Sequence, residues 1–232
     1  MFTEKKVILS ADDYDRQGLL DLAKKIGKKV FCIKIHNLYD RFGPQIVSDL
    51  RTAGAHRVWV DAKLHDIPNT VKLRAQALAD SGCDIITVHA SGGGEMMSAA
   101  KQGFGKGKIF AVMALTSLDN RMIGAIYNAQ DAKELVMRLA PMVKHSGADG
   151  MVCSPMEILA LRAVSEYDDL ALAVPGIRSA GVGTDDQKRF DTPFNALKSG
   201  ADFLVIGRQI TKAADPVQAL DALEIEISQV IK

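Results

Sequence analysis

TVKLRAQALADSGCDIITVHA, Thr70–Ala90, contains one complete structural unit, and its reading decides how the rest of the chain is divided. The first part has the apolar periodicity of an amphipathic helix. Ser81-Gly82 interrupts it, and DIITVHA follows as a short β-branched run of strand type. A glycine just past a helix can take the left-handed conformation that ends it, so the next strand starts at once. The same device recurs as AGAH (53–56), SGAD (146–149) and SGAD (199–202), each between a helical pattern and an apolar run. Four uses of one device suggest one repeated supersecondary unit.

Extending the pattern gives eight strand candidates: VILSA (7–11), VFCIKI (30–35), RVWVDAK (57–63), DIITVHA (84–90), IFAVMAL (109–115), GMVCS (150–154), LALAVP (170–175) and FLVIG (203–207). Helical patterns such as QGLLDLAKKIG, PQIVSDLRTAG and AKELVMRLAPMVKHSG lie between them. Strictly alternating strands and helices imply a parallel sheet with helical crossovers. No long linker or shift of composition divides the 232 residues. The expectation is a single (β/α)8 (TIM) barrel, with residues 1–232 forming one catalytic domain. An open doubly wound sheet is the alternative, because counting elements cannot prove closure.

Composition narrows the function. Lys and Arg number 29 against 28 Asp and Glu, so no overall field favours nucleic acid or an anionic membrane. Any anionic partner must be recognised locally. IFAVMAL is far too short to span a bilayer. The start, MFTEKKVILSADD, lacks the apolar core and cleavage site of a signal peptide. Cys32, Cys83 and Cys153 are odd in number and scattered through apolar runs, as reduced thiols of a cytoplasmic protein would be. The five histidines show no metal-ligand spacing, so no protein-bound metal is expected.

Active sites of such barrels sit where strands end and the strand-to-helix loops begin. Asp12 ends the first strand, Lys34 lies late in the second, and Asp61 and Lys63 end the third. Residues two apart on a strand face the same way, so Asp61 and Lys63 share a face with Trp59 below them. A structural ion pair would account for Asp61 and Lys63 by themselves equally well. Lys34 tips the balance toward a site, because lysine is rarely buried without a partner and here it interrupts FCIKI. Asp66 lies past the strand, two residues before Pro68. It suits a helix cap or a loop projecting toward a neighbouring subunit's site, with neither reading preferred.

VPGIRSAG (174–181) and VIGRQ (205–209) follow strands seven and eight, where this fold commonly binds phosphate. Arg178 and Arg208 add planar forks suited to phosphate oxygens, and Gly176 and Gly207 allow close backbone approach. Gln187 is a further candidate ligand. HASGGG (89–94) lacks phosphate-loop spacing and reads as a tight turn into a helix. Thr116 and Ser117 offer hydroxyls after the fifth strand.

Together these segments resemble the orotidine 5′-phosphate decarboxylase family. DAKLHDIPNT (61–70) matches the family's DxKxxDIxxT, and VHASGG (88–93), LTS (115–117), PGIR (175–178) and IGR (206–208) follow in the family's order. DxKxxD alone is shared with related phosphosugar decarboxylases and aldolases. The extension from Ile67 to Thr70, with both phosphate loops, makes the match specific.

The resemblance implies decarboxylation of orotidine 5′-monophosphate to uridine 5′-monophosphate, a step of pyrimidine biosynthesis, with no cofactor or metal. Lys63 would protonate carbon six as carbon dioxide leaves. Lys34, Asp61 and Lys63 would form a charged array completed by Asp66 from the other subunit of a homodimer. Asp12, Lys34 and Thr70 would contact ribose hydroxyls, and Thr116 and Ser117 would face the pyrimidine. Arg178, Gln187, Gly207 and Arg208 would hold phosphate, with Ile67 and Pro175 also lining the bound nucleotide. His36 and Asn37, and the loop SAGVGTDD, depart from the usual family pattern.

A lysine among carboxylates suits a proton donor, whereas a Schiff-base nucleophile needs a neutral amine. Asp61 would repel a substrate carboxylate by about 4 kcal/mol at roughly 4 Å and an effective dielectric of about 20. The hardest reactions need barrier lowering on the order of 20 kcal/mol. Stabilisation of the carbanion by Lys63 must therefore supply the larger share. The rivals are a metal-dependent phosphosugar enzyme of the same superfamily and a catalytically silent phosphate-binding barrel. The first usually has an acidic metal ligand where Lys34 stands, and the second needs no interior proton donor.

Overall fold

The computed structural model describes residues 5–179 and 190–230. Eight strands form the centre: β1 Val7–Ser10, β2 Cys32–Ile35, β3 Val58–Leu64, β4 Ile85–His89, β5 Lys108–Val112, β6 Gly150–Val152, β7 Ala171–Val174 and β8 Phe203–Ile206. Every neighbouring pair is parallel, and β8 pairs with β1, so the sheet closes. Closure decides for the barrel over the open sheet. All eight expected strands are present, with ends that differ by one to three residues; β5 ends at Val112, three residues before the end of IFAVMAL, and β3 runs one residue further, to Leu64.

The helices, in chain order, are α1 Arg16–Ile26, α2 Asn37–Phe42, α3 Gln45–Thr52, α4 Pro68–Asp80, α5 Gly94–Phe104, α6 Asn120–Tyr127, α7 Ala132–His145, α8 Ile158–Arg162, α9 Pro193–Lys198, α10 Arg208–Thr211 and α11 Pro216–Ser228. At least one stands in each crossover. The repeated glycine device behaves as the spacing requires: Gly54, Gly82, Gly147 and Gly200 all have positive φ, between 79° and 108°. There each helix stops and the chain turns into the following strand. HASGGG forms a single 3-10 turn, Ala90–Gly92, that leads directly into α5.

Two apolar layers result. The larger lies between strands and helices and includes Leu19, Ile46, Val71, Met97, Val136 and Leu220. The smaller fills the barrel itself with Ile8, Phe31, Trp59, Ile85, Phe110 and Phe203. Phe31 and Phe203 stack with ring centroids 4.1 Å apart, and Trp59 and Phe110 meet at 4.9 Å. Trp59 Nε1 donates to Thr87 Oγ1 at 2.8 Å, so its one polar atom is satisfied in the interior. The barrel is thus filled below, and the space beside Trp59 opens at the mouth.

Register raises the polar residues to that mouth. Ser10 pairs with Lys34, Lys34 with Trp59, and Trp59 with Ile85. Partners across parallel strands point to the same side, so Ser10 and Lys34 face inward at the level where aromatic filling ends. Among the described residues no helix is long and apolar enough to cross a membrane.

Candidate active site

Four charged side chains meet at the C-terminal ends of β1, β2 and β3. Lys63 Nζ lies 2.6 Å from Asp61 Oδ2, and Lys34 Nζ lies 2.9 Å from the same oxygen. Lys34 Nζ also stands 3.4 Å from Asp12 Oδ2, to which Ser10 Oγ donates at 2.7 Å. Signs therefore alternate along Asp12, Lys34, Asp61 and Lys63. Lys34 and Asp61 are only 8% and 7% exposed, so their attraction is little screened by water.

Burial and partners oppose each other at these groups. Burial alone would raise the Asp61 carboxyl, but Lys34 and Lys63 outweigh it and hold it below the usual carboxylate range. Burial alone would lower Lys34, but Asp61 and Asp12 reverse this and raise it. Both groups are therefore charged throughout the neutral range. His89, half-buried and with its ring 5.4 Å from that of His65, is shifted down by burial, then by His65 and Lys63.

Lys63 reaches Asp61 in a way that regular alternation does not describe. Strand β3 breaks register between Val60 and Leu64, and Lys63 has φ +44°. A left-handed lysine costs about 1–2 kcal/mol and is uncommon outside glycine. Asp61 and Lys63 still line one cavity above Trp59, as expected, but through a bulge and not an extended strand.

That cavity has a volume of about 220 Å³. Lys34, Asp61 and Lys63 form one wall, and Val112, Ala114, Val152, Val205 and Pro175 supply apolar surface. Thr116 reaches it, whereas Ser117 does not line it. A second space of about 370 Å³ adjoins it, sharing Ser10, Pro175 and Val205. Asp12, Asp13, Gly176, Arg178, Gly207, Arg208 and Lys212 complete its lining. Arg178 is buried, with Nη1 donating to the Ile177 carbonyl at 2.7 Å. One end is thus an apolar slot beside charges, and the other is a polar cleft rich in cations. Gln187 lies outside the described residues.

Asp66, Ile67 and Thr70 are not part of either wall among the described residues. Asp66 is exposed and its Oδ1 accepts from the Ile67 N–H at 2.7 Å. It does not cap α4: the N-cap position is Ile67, with no side-chain cap bond, and Pro68 occupies the first helical position, where its missing N–H costs nothing. Ile67 is 67% exposed. Sequence reasoning missed Ser10 and Lys212. Ser10 was legible as the residue two before Asp12 on the inward face, but Lys212 carries no comparable signal.

Among the described residues no group of three His, Cys, Asp or Glu side chains could hold a metal ion. Two lysines beside Asp61 also make this wall repulsive to a cation. A closed barrel with an alternating ion-pair wall, an apolar slot and an arginine-lined end defines a class of (β/α)8 proteins whose mouth offers an apolar cavity beside a cation-rich cleft.

The chain belongs to the orotidine 5′-phosphate decarboxylase / HUMPS family, whose model matches residues 5–223. A relative from Streptococcus mutans named orotidine 5′-phosphate decarboxylase is 44% identical over 191 residues, 82% of each chain. One of the same name from Pseudoalteromonas atlantica is 39% identical over 231 residues, 97% of this chain and 99% of the relative. The crystal structure of orotidine 5′-phosphate decarboxylase from Lactobacillus acidophilus superposes with a TM-score of 0.83 at 35% identity, covering 97% of this chain and 99% of that one.

Proposed function

We propose that Lys63 is the general acid of the reaction catalysed by this chain, the decarboxylation of orotidine 5′-monophosphate to uridine 5′-monophosphate and carbon dioxide. The chain is a carboxy-lyase of its family, and the relatives that match most of its length carry that enzyme's name. The observation that carries the assignment to Lys63 is its ammonium nitrogen, held 2.6 Å from Asp61 on the wall of an apolar slot.

The pyrimidine lies in the slot over Trp59, and the phosphate lies in the adjoining cleft between Arg178 and Arg208. Asp12 and Lys34 stand between the two, where ribose hydroxyls fall. The substrate carboxylate faces Asp61. As the carbon–carbon bond breaks, its electron pair stays on carbon six and carbon dioxide departs. The Lys63 ammonium stabilises that developing charge and then donates its proton to the same carbon. Asp61 holds Lys63 in place, and Lys34 fixes Asp61. Phosphate contacts far from the reacting carbon contribute binding energy that orders the site.

Asp66 and Ile67 in the loop after β3, and Thr70 in the first turn of α4, are exposed or half-buried and line neither part of their own cavity. We assign them to the site of a second subunit in a homodimer, where Asp66 would extend the array. The reading without a metal rests on Lys34 and Lys63 flanking the one carboxylate on the slot's wall. Residues 1–232 act as one catalytic unit, and three buried free thiols suit a cytoplasmic protein.

The deciding experiment follows ultraviolet absorbance of orotidine 5′-monophosphate with wild-type protein and Lys63→Ala, each with and without EDTA. The expected outcome is turnover by the wild type that ignores EDTA, and loss of at least about a thousandfold in Lys63→Ala, which still binds uridine 5′-monophosphate. Near-normal turnover by the variant would falsify the role of Lys63. Turnover restored only by magnesium would favour the phosphosugar chemistry of the superfamily.

A further inference from the structure

Two segments supply the arginines of the cation-rich cleft, and they come from different strand ends. Arg178 follows β7 and Arg208 follows β8. Nothing in either strand sets the distance between the two guanidinium groups, since each sits on a loop or on the first residue of a short helix.

A polar clamp joins the two segments one residue further along each. Gln209 Oε1 accepts from the Ser179 backbone N–H at 3.0 Å, and Gln209 Nε2 donates to Ser179 Oγ at 2.6 Å. Ser179 Oγ in turn donates to Glu226 Oε2 on α11 at 2.7 Å. The donors and acceptors are mutually consistent: the serine hydroxyl accepts once and donates once, and both ends of the glutamine amide are used. A flipped amide would set two N–H groups against each other, so the clamp has one orientation.

The opposite side of Arg178 is also held. Arg178 N–H donates to the Asp191 carbonyl at 3.0 Å, and Asp191 N–H donates to the Gly176 carbonyl at 3.1 Å. Arg178 is therefore fixed by backbone bonds on one side and, through Ser179, by Gln209 on the other. Successive helical residues point about 100° apart, so Arg208 can face the cleft while its neighbour Gln209 faces Ser179.

We infer that Gln209 is a positioning residue for the phosphate end of the site, setting the spacing of Arg178 and Arg208 through Ser179. It touches no substrate atom. The inference rests on the reading of this cleft as the phosphate end.

The test compares uridine 5′-monophosphate with uridine as competitive inhibitors of Gln209→Ala, Ser179→Ala and Arg208→Ala, alongside the KM and kcat for orotidine 5′-monophosphate. Gln209→Ala is expected to weaken uridine 5′-monophosphate about tenfold, the scale of two lost hydrogen bonds. It should leave uridine within about twofold and raise KM more than it lowers kcat. Glu226→Gln, which keeps an acceptor for Ser179, should stay close to wild type. Should Gln209→Ala not fold, Ser179→Ala carries the same expectation at smaller size.

Equal loss of both inhibitors, or no loss of either, in a variant set where Arg208→Ala still discriminates between them, overturns the positioning role alone. Failure of Arg208→Ala to discriminate removes the phosphate reading, and the inference with it.

Discussion

At the scale of single residues, Asp61 is the pivot. It is buried, which opposes its charge, yet two lysines hold it ionised. A carboxyl depressed in the folded state contributes stability above its unfolded pKa, about 3.9, and that contribution is lost as pH falls. Lys34 is shifted the other way: its contribution is complete below the unfolded value of about 10.4 and is lost as pH rises through the higher folded value. Neutral pH thus lies where both contribute fully. Asp61→Asn should be less stable than wild type at pH 7, and the gap should narrow as pH falls below about 3.9 toward about 3, because there the unfolded wild-type chain takes up a proton that the folded chain, with Asp61 held ionised by its lysines, does not. Thermal melts at the two pH values check this, and a gap independent of pH would contradict it. Lys34→Met leaves Asp61 buried with one partner fewer and should cost roughly 3 kcal/mol, near the low end for a broken buried pair because Lys63 remains. Denaturant unfolding measures that cost.

At the scale of elements, the helix-glycine-strand unit repeats wherever the chain must stop a helix and enter a strand without a long loop. Gly147, between α7 and β6, has φ +80°, and among the described residues the only neighbour within 4 Å of an added Cβ is Lys101 Cγ at 3.9 Å. Space is therefore available, and any cost of Gly147→Ala is conformational. It should destabilise by about 1 kcal/mol and lower Tm by roughly 2–4 °C in a chain of this size. Calorimetry decides, and an unchanged Tm would mean that the backbone relaxes out of the left-handed region. Strand β3 shows the converse case. Its end departs from regular pairing, and the departure delivers Lys63 to Asp61 at the place where chemistry is proposed, which is where strained backbone tends to persist.

At the scale of the whole molecule, the segment from Asp66 through Thr70, the end of the β3 loop and the first turn of α4, does not line its own cavity. If it completes a neighbouring site, two defective variants should complement each other. Lys63→Ala and Asp66→Ala subunits, mixed and exchanged at equal ratio, form hybrids with one intact site. Activity should then return to about a quarter of wild type, from half of the sites in half of the dimers. No recovery after demonstrated subunit exchange would place Asp66 in its own subunit's site or outside any site.

Local chemistry was readable in the order of residues. Periodicity and the repeated glycines located all eight strands, because backbone preference and apolar spacing act over a few neighbours. The grouping of Asp12, Lys34, Asp61 and Lys63 was legible from their positions at strand ends, and Arg178 and Arg208 from theirs after β7 and β8. Asp66 stayed ambiguous between cap and site for the same reason: both roles favour a carboxylate just before a helix. The tertiary structure decided what depends on contacts distant in sequence. Closure needed β8 to meet β1, and the bulge at Lys63 follows from how β3 fits against β4. The clamp of Gln209, Ser179 and Glu226 joins three elements whose mutual distance no local pattern encodes. Alternation along one strand says which way a side chain points, and only the closed barrel determines what it meets there.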